Sequence, residues 1–326
     1  MNINFRYLFK LIFYGLFAMS IECDVLVVGG GPAGCSAARA ATKSGLKTIL
    51  IEEDKQIGSP VRCAEAIGEY LLPYMPLDVP QNQLLWKIEG MYLWADEVSI
   101  IKEGGMWAGY SINREKWDKW ISLEAKKAGT QIIMNAKITK IEHNTNFEIN
   151  KVAILKDGKE LSIRPKFLIS AEGVNPSIMD LLDIEKKQCI GHVKSFEIKN
   201  LDLKYPKYEQ MFFGNFAPGA YAYIFPISKK SANVGIGTLK NKEQIDFLYN
   251  NFIEIPFVKK QLSNGVTVVE KSGDAPIGDL SEKIVYGNVF FVGDSANQNI
   301  KPFIEGNIPG IIWGNILGNF IKEISE

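Results

Sequence analysis

Histidine is scarce in this sequence: only His143 and His192 occur among 326 residues. A zinc site or a Ser–His triad would use almost that whole supply, so neither is expected and no metal site is assigned. A surplus of charge is also lacking, with 37 Lys+Arg against 37 Asp+Glu. Nucleic acid is therefore not the expected partner, because phosphate binding draws on a basic excess. The four cysteines, Cys23, Cys35, Cys63 and Cys189, form no CxxC pair. That fits buried free thiols in a reducing cytosol rather than a disulfide framework. Repeats, low-complexity tracts and metal-ligand clusters are absent from the sequence. The longest apolar stretch near the N-terminus, residues 11–19, is shorter than the roughly 18 residues of a spanning helix. Residues 5–21 nevertheless combine a basic start with an apolar centre. Three origins are expected in descending order: a natural start at Met19 with an over-extended leader, a peripheral or single-pass anchor, and a cleaved signal peptide.

What is present is ordinary globular composition, 46% hydrophobic and 23% charged. The length suits about two domains. Residues 23–28 (CDVLVV) read as a buried parallel strand. GGGPAG follows, with GxGxxG at Gly29, Gly31 and Gly34, then an Ala-rich helix over residues 35–44 closed by Gly45. A second strand, residues 47–51, ends in Glu52, 18 positions after Gly34. Each part serves a dinucleotide. Gly29 allows the tight turn, Gly31 admits a pyrophosphate and Gly34 lets helix meet strand. The helix N-terminus offers free N–H groups to the phosphates, and Glu52 can accept from ribose hydroxyls. Strand, glycines, helix, strand and acid in this order make the assignment specific. They do not separate FAD from NAD.

The C-terminal part separates them. An apolar strand at residues 288–292 runs into Gly293-Asp294-Ser295-Ala296, then into Pro302 and Gly306-Asn307-Ile308-Pro309-Gly310 ahead of an apolar helix over residues 311–321. An acid just past a strand can hold a ribityl hydroxyl, and the following helix N-terminus can stabilise a reduced flavin. Pro309 suits a first helical turn. In the middle, Arg114 heads a helix that ends near Gly129, followed by strands at residues 131–135 and 167–170. Its place in this series suggests a cofactor contact.

On these motifs the sequence resembles the geranylgeranyl reductase family of FAD enzymes, archaeal digeranylgeranylglycerophospholipid reductases in particular. Besides GGGPAG, Glu52 and GDSA, the likeness rests on PVRCAE (residues 60–65), INREKWDKW (residues 112–120), and YAYIFP (residues 221–226) with GIG eight residues later. The resemblance implies an α/β fold: a Rossmann-like, three-layer FAD-binding domain of the glutathione-reductase and p-hydroxybenzoate-hydroxylase type, with an inserted antiparallel-sheet substrate domain. Residues 22–85, 112–185 and 276–326 would form the FAD domain. Residues 86–111 and 186–275 would form the substrate domain, with 90–111 and 191–238 supplying its sheet, and residues 1–21 an N-terminal extension.

It further implies FAD contacts at Ala33, Glu52, Arg62, Cys63 and Ala64. Others fall on Arg114, Ala136, Gly293, Asp294, Gly306 and Asn307. Tyr221, Tyr223, Phe225, Pro226, Gly235 and Gly237 would belong to the substrate site. Here Tyr223 replaces the family's Trp, Glu172 replaces an Asp, and Ala66 and Asn307 stand where Gly and Ile are common. Only 16 residues follow Gly310, fewer than in family members, which suggests a truncated chain or a more open tunnel.

The expected chemistry is hydrogenation of isolated C=C bonds in a geranylgeranyl lipid, with hydride from reduced flavin and a proton from an acid. Cys63 is the one candidate acid, although a flavin contact suits it better. An unactivated alkene offers no group to polarise, so positioning and water exclusion carry the catalysis. The 11% aromatic content suits an apolar tunnel. A ferredoxin, a deazaflavin or NAD(P)H would supply electrons from outside. The protein is expected in the cytoplasm, peripheral to the inner face of the membrane. The rivals are a flavin monooxygenase or halogenase, whose WxWxIP signature lacks both Trp here, and a non-catalytic FAD or lipid binder.

Overall fold

The computed structural model describes residues 20–96, 98–186, 189–240 and 242–326. The N-terminal apolar segment and the three expectations for it lie outside the described residues. Strand Ile21–Val28 sits at the centre of an eight-stranded sheet. It pairs in parallel with Lys159–Ser170 on one side and with Thr48–Ile51 on the other. Gln131–Ile133 and Val289–Phe291 extend the parallel set outward. A near-continuous apolar run makes a strand that must be covered twice, and both faces are covered. Val25 and Val27 pack under three helices, Pro32–Lys43, Arg114–Lys127 and Asn307–Ser325. Leu26 and Val28 pack under the hairpin Ala136–His143/Ile149–Lys156 and the short helix Ser177–Leu181. The result is the layered α/β architecture expected from the sequence.

The second sheet has seven strands. From one edge they run Val266–Pro276, Ile190–Lys199, Ser231–Thr238, Ala222–Ser228, Tyr208–Phe213, Gly90–Ala95 and Val98–Glu103. It differs from expectation in two respects. Tyr208–Phe213 and Gly90–Ala95 pair in parallel. These two strands belong to separate excursions of the chain, so no hairpin turn sets their relative direction. Residues 109–111 do not join this sheet; Gly109–Ser111 pairs with Ala66–Gly68 and Trp86–Ile88 in a small sheet of its own.

The period-two alternation of strands divides the large sheet into two faces. Tyr92, Phe212, Ile224 and Val234 point toward helices Ile245–Ile253 and Pro256–Leu262 and close a core with them. Met91, Met211, Tyr223 and Phe225 point the other way and form a separate apolar cluster with Ala64 and Phe303. The first face is the richer of the two in aromatic rings: Tyr92 stacks on Tyr205 at 4.7 Å between ring centroids, and Phe212 meets Phe252 at 5.2 Å. These rings dock helices on the sheet, while Trp107, Tyr221, Tyr223, Phe225 and Phe303 line the larger cavity on the other side. The thiols also divide. Cys23 and Cys35 are buried as expected, but Cys63 is half-buried and Cys189 exposed.

The two longest-range partners in the first domain are helices Pro32–Lys43 and Asn307–Ser325, which meet through small residues. A Cβ on Gly314 would stand 2.3 Å from the Ala33 carbonyl oxygen, and one on Gly318 would stand 2.4 Å from that of Ala37. The Ser36 hydroxyl donates to Ile311 O at 2.6 Å across the seam. Backbone therefore packs on backbone, which a branched side chain would force apart. Gly314→Val is expected to cost about 1–3 kcal/mol by overpacking, read as a melting temperature lowered by several degrees in a thermal unfolding scan.

Candidate functional site

The glycine turn after Ile21–Val28 is shaped by two close approaches. Gly29 has φ +105°, and a Cβ there would lie 2.3 Å from Ala171 O. A Cβ on Gly34 would lie 1.9 Å from Gly29 O. Only glycine fits either place. Gly31, by contrast, has nothing within 4 Å of its Cβ position, yet it borders both of the cavities that meet here.

One cavity, of about 390 Å³, lies over the ends of the parallel strands and is lined by Gly29, Glu52 and Ala136. The second, of about 570 Å³, lies between the first domain and the inner face of the seven-stranded sheet. Gly31, Arg62, Arg114, Ala171 and Gly173 belong to both walls. The two therefore adjoin in one elongated cleft, the shape a dinucleotide cofactor needs.

At the first end, Glu52 accepts hydrogen bonds from Gly30 N at 2.6 Å and Asp54 N at 2.8 Å. Burial pushes its carboxyl up, while those two N–H groups pull it back. Its orientation is thus fixed by backbone before any ribose arrives. Glu172 is used differently: it accepts from Ser170, from Ser177 N and Oγ, and from Ile178 N. It caps the Ser177–Leu181 helix.

In the middle of the cleft Arg114 makes a bidentate pair with Asp118, both contacts 2.9 Å. Burial alone would lower its pKa, but Asp118, with Cys63 beside it, raises it, so the guanidinium stays charged. Cys63 lines the larger cavity, and its sulfur accepts from Glu65 N at 3.2 Å. Ala33, Ala64, Gly293, Asp294, Gly306 and Asn307 line the same cavity. Burial pushes the Asp294 carboxyl up against the opposing pull of Asn299, Arg114 and Lys301.

The cleft fits FAD on an observation independent of the motifs. Asn307, at the head of helix Asn307–Ser325, is buried, and among the described residues neither its side-chain oxygen nor its nitrogen has a hydrogen-bond partner. A buried amide left so is costly. The pyrimidine edge of a flavin carries the donors and acceptors that would complete it.

Of the substrate-site residues, Tyr221, Tyr223, Phe225 and Gly237 line the larger cavity. Burial pushes both tyrosine hydroxyls up, so these walls remain neutral. Pro226 and Gly235 are not among its lining residues. Pro226 stands opposite Ala232 in the ladder, out of step with Phe225. Gly235 lies under the Tyr223 ring, where a Cβ would stand 2.4 Å from its hydroxyl. The family's wider Trp is replaced here by a ring seated over a glycine. Gly34 is likewise interior, beneath the turn. The sequence reading missed Met91, Trp107, Glu209, Met211 and Phe303, which complete the wall. Alternation in the strand Tyr208–Phe213 puts Glu209 and Met211 on one face, but not which face.

A buried ion pair joins the two domains. Glu65, at φ +63°, accepts from Lys271 Nζ and from Arg114 N at 2.9 Å. Lys271 also donates to Asn233 Oδ1 at 3.0 Å, and Asn233 donates to Ala64 O at 2.9 Å. The ion-paired side chains are 5% and 7% exposed, so neither charge has water to fall back on.

The layering, the glycine turn and the paired cavities define an FAD-dependent oxidoreductase. Comparison with known proteins agrees. Residues 24–173 match the FAD-dependent oxidoreductase family and residues 191–273 match the geranylgeranyl reductase catalytic domain. A digeranylgeranylglycerophospholipid reductase of Methanococcus aeolicus is 33% identical over 93% of this chain and 78% of its own. The Methanocaldococcus jannaschii protein of that name is 33% identical over 92% and 78%. Among solved structures, a geranylgeranyl bacteriochlorophyll reductase-like protein from Thermoplasma acidophilum superposes with TM-score 0.84 at 27% identity, covering 94% of this chain and 79% of that one. A flavin-dependent brominase superposes with TM-score 0.77 at 16% identity over 93% and 80%, a likeness of fold alone. The chain belongs to the geranylgeranyl reductase family, and it binds FAD.

Two outcomes are expected. Glu52→Ala removes a charged acceptor from the ribose end. Hydrogen bonds to charged groups contribute about 1.5–3 kcal/mol, so FAD affinity should fall roughly 10- to 100-fold in a fluorescence titration of apoprotein. Lys271→Met strands the Glu65 charge and should cost about 3–5 kcal/mol in a denaturant titration, with much of the loss recovered in the Glu65→Gln/Lys271→Met double variant.

Proposed function

We propose that this protein hydrogenates isolated C=C bonds in the geranylgeranyl chains of membrane-lipid precursors. The observation that carries the reading is the larger cavity: its sheet wall is Met91, Met211, Tyr221, Tyr223 and Phe225, and it adjoins the adenosine-side cavity through Gly31. FAD, when bound and reduced, supplies the hydride. The protein's own part begins with holding the cofactor. Glu52 serves the ribose, the N–H groups at the head of Pro32–Lys43 serve the pyrophosphate, and Arg62 and Arg114 border the passage between the cavities. Asp294 serves the ribityl chain. Gly293, Gly306 and Asn307 present helix N-terminal backbone and an amide to the flavin's polar edge. Ala33, Ala64, Cys63 and Ala136 supply contact surface.

The second part is positioning. An isolated alkene has no dipole to grip, so rate comes from fixing it near the cofactor in a dry pocket. Two methionines and Phe225 offer no hydrogen bond that would retain water, and the Tyr221 hydroxyl is spent on Phe303 O. Met adapts to an irregular prenyl chain. Electrons come from an external donor, a ferredoxin, a deazaflavin or NAD(P)H. In support, the described residues hold one GxGxxG unit, and FAD uses it.

We further place the protein peripherally on the cytoplasmic face of the membrane. Among the described residues no helix is long and apolar enough to cross a membrane. The edge strand Val98–Glu103 exposes Val98, Ile100 and Ile101, and Met106, exposed a few residues on, lines the cavity. Such a rim would let a lipid tail enter directly from a bilayer.

The reading is tested anaerobically, by adding geranylgeranyl lipid to dithionite-reduced protein. Saturated product with reoxidised flavin is expected by mass spectrometry and absorbance. Unchanged lipid mass would refute it.

A further inference from the structure

Adding hydrogen across an alkene needs a proton as well as a hydride, and Glu209 is placed to give it. Glu209 lies on strand Tyr208–Phe213, beside Met91 in the ladder and two residues before Met211, and it lines the larger cavity. It is 7% exposed. No hydrogen bond or ion pair to its carboxyl is found among the described residues. An acid buried among methionines and aromatic rings, without a cation or an N–H donor, is neither a structural ion pair nor a cap.

Its surroundings favour the neutral form. Burial, and then the Glu305 charge, push the carboxyl up to about 8. Glu305 itself is engaged, accepting from Gly68 N at 2.7 Å and Tyr70 OH at 3.2 Å. Tyr221, Tyr223 and Cys63 are the other titratable groups nearby, and the Tyr221 hydroxyl donates to Phe303 O at 2.9 Å. Elsewhere on the cavity wall the charged or titratable groups are Arg62, Arg114, His192, Asp274, Asp294 and Lys301. Arg114 pairs with Asp118, and His192 with Asp274 at 2.8 Å. The Cys63 sulfur is already engaged, accepting from Glu65 N and from the Arg114 guanidinium.

We propose that Glu209 is the catalytic acid that protonates the second alkene carbon. This rests on the prenyl-reduction reading. The alkene gains one C–H bond from the hydride of reduced FAD, which is oxidised by two electrons. It gains the other from the Glu209 O–H, which breaks to leave a carboxylate. Water reloads the carboxylate between turnovers.

The test uses reduced holoenzyme and geranylgeranyl lipid in anaerobic single turnover. Glu209→Gln keeps the size and neutrality of the protonated acid but cannot donate an acidic proton. It should bind FAD and lipid as the wild type does and slow flavin reoxidation by about 100-fold or more. Glu209→Asp should recover part of the rate. The wild-type rate should fall as pH rises through about 8, and Glu209→Gln should lack that limb. A second readout is independent of activity. A folded-state pKa raised above the unfolded carboxylate value makes the folded state hold the extra proton between those values. The wild-type apoprotein should therefore lose stability as pH rises from roughly 5 to 8, and Glu209→Gln should lose less. Wild-type reduction with Glu209→Gln slowed less than tenfold, or unchanged pH dependence of stability, overturns the acid role and leaves the prenyl reading standing. A wild type that yields no saturated lipid overturns both.

Discussion

The Glu65–Lys271 ion pair is the constraint on which the site depends. The PVRCAE segment connects the nucleotide-binding half to the inner face of the seven-stranded sheet, and it has no regular structure to hold it. Glu65 supplies the hold, with one carboxylate oxygen on Arg114 N and the other on Lys271 and Asn233. That places Cys63 and Ala64 between the cofactor cleft and the substrate wall. Burying two charges is costly unless both are fully engaged, and here every contact crosses from one segment to another. The arrangement contributes position more than stability. Moving one partner would shift Arg114, the Cys63 loop and the sheet together.

The large sheet carries two different cores on its two faces. The outer face is stacked aromatics under helices, and that core makes the sheet rigid. The inner face is thinner and more varied: methionines, the rings of Tyr221, Tyr223 and Phe225, and the Glu209 carboxyl. Because alternate residues serve alternate faces, the strand that presents Glu209 and Met211 to the cavity anchors itself behind through Gln210 and Phe212. Gln210 exchanges hydrogen bonds with Gln261 at 3.0 and 2.9 Å. A side chain on such a strand has little freedom to wander, as the proposed chemistry on an unpolarised bond requires.

Much of this was readable from residues close in sequence. GGGPAG, the helix after it and Glu52 form one local unit whose spacing has a single good physical explanation. GDSA with the Gly306–Asn307 turn repeats the logic at the other end of the chain. What could not be read was pairing over long distances. Nothing about Asn233 or Lys271 alone marks them as partners of Glu65. The parallel pairing of Gly90–Ala95 with Tyr208–Phe213 depends on how two separate excursions meet. Alternation in YEQMFF gave two faces without saying which held the cavity, so Glu209 stayed invisible. The aromatic content was legible only in part for the same reason: composition counts rings but does not say on which side of a sheet they stand.

The seam of Gly310, Gly314 and Gly318 against Ala33 and Ala37 has a mechanical consequence. Close backbone contact repeats every four residues, about 6 Å of helix axis, and intermediate offsets put Cβ atoms into carbonyl oxygens. The two helices are geared like teeth: they can sit in register or jump a whole tooth, but they cannot creep. The distance between the turn at Gly31 and the turn at Gly306, which both border the larger cavity, is thereby locked. Sliding along this seam is therefore not a way for the first domain to loosen.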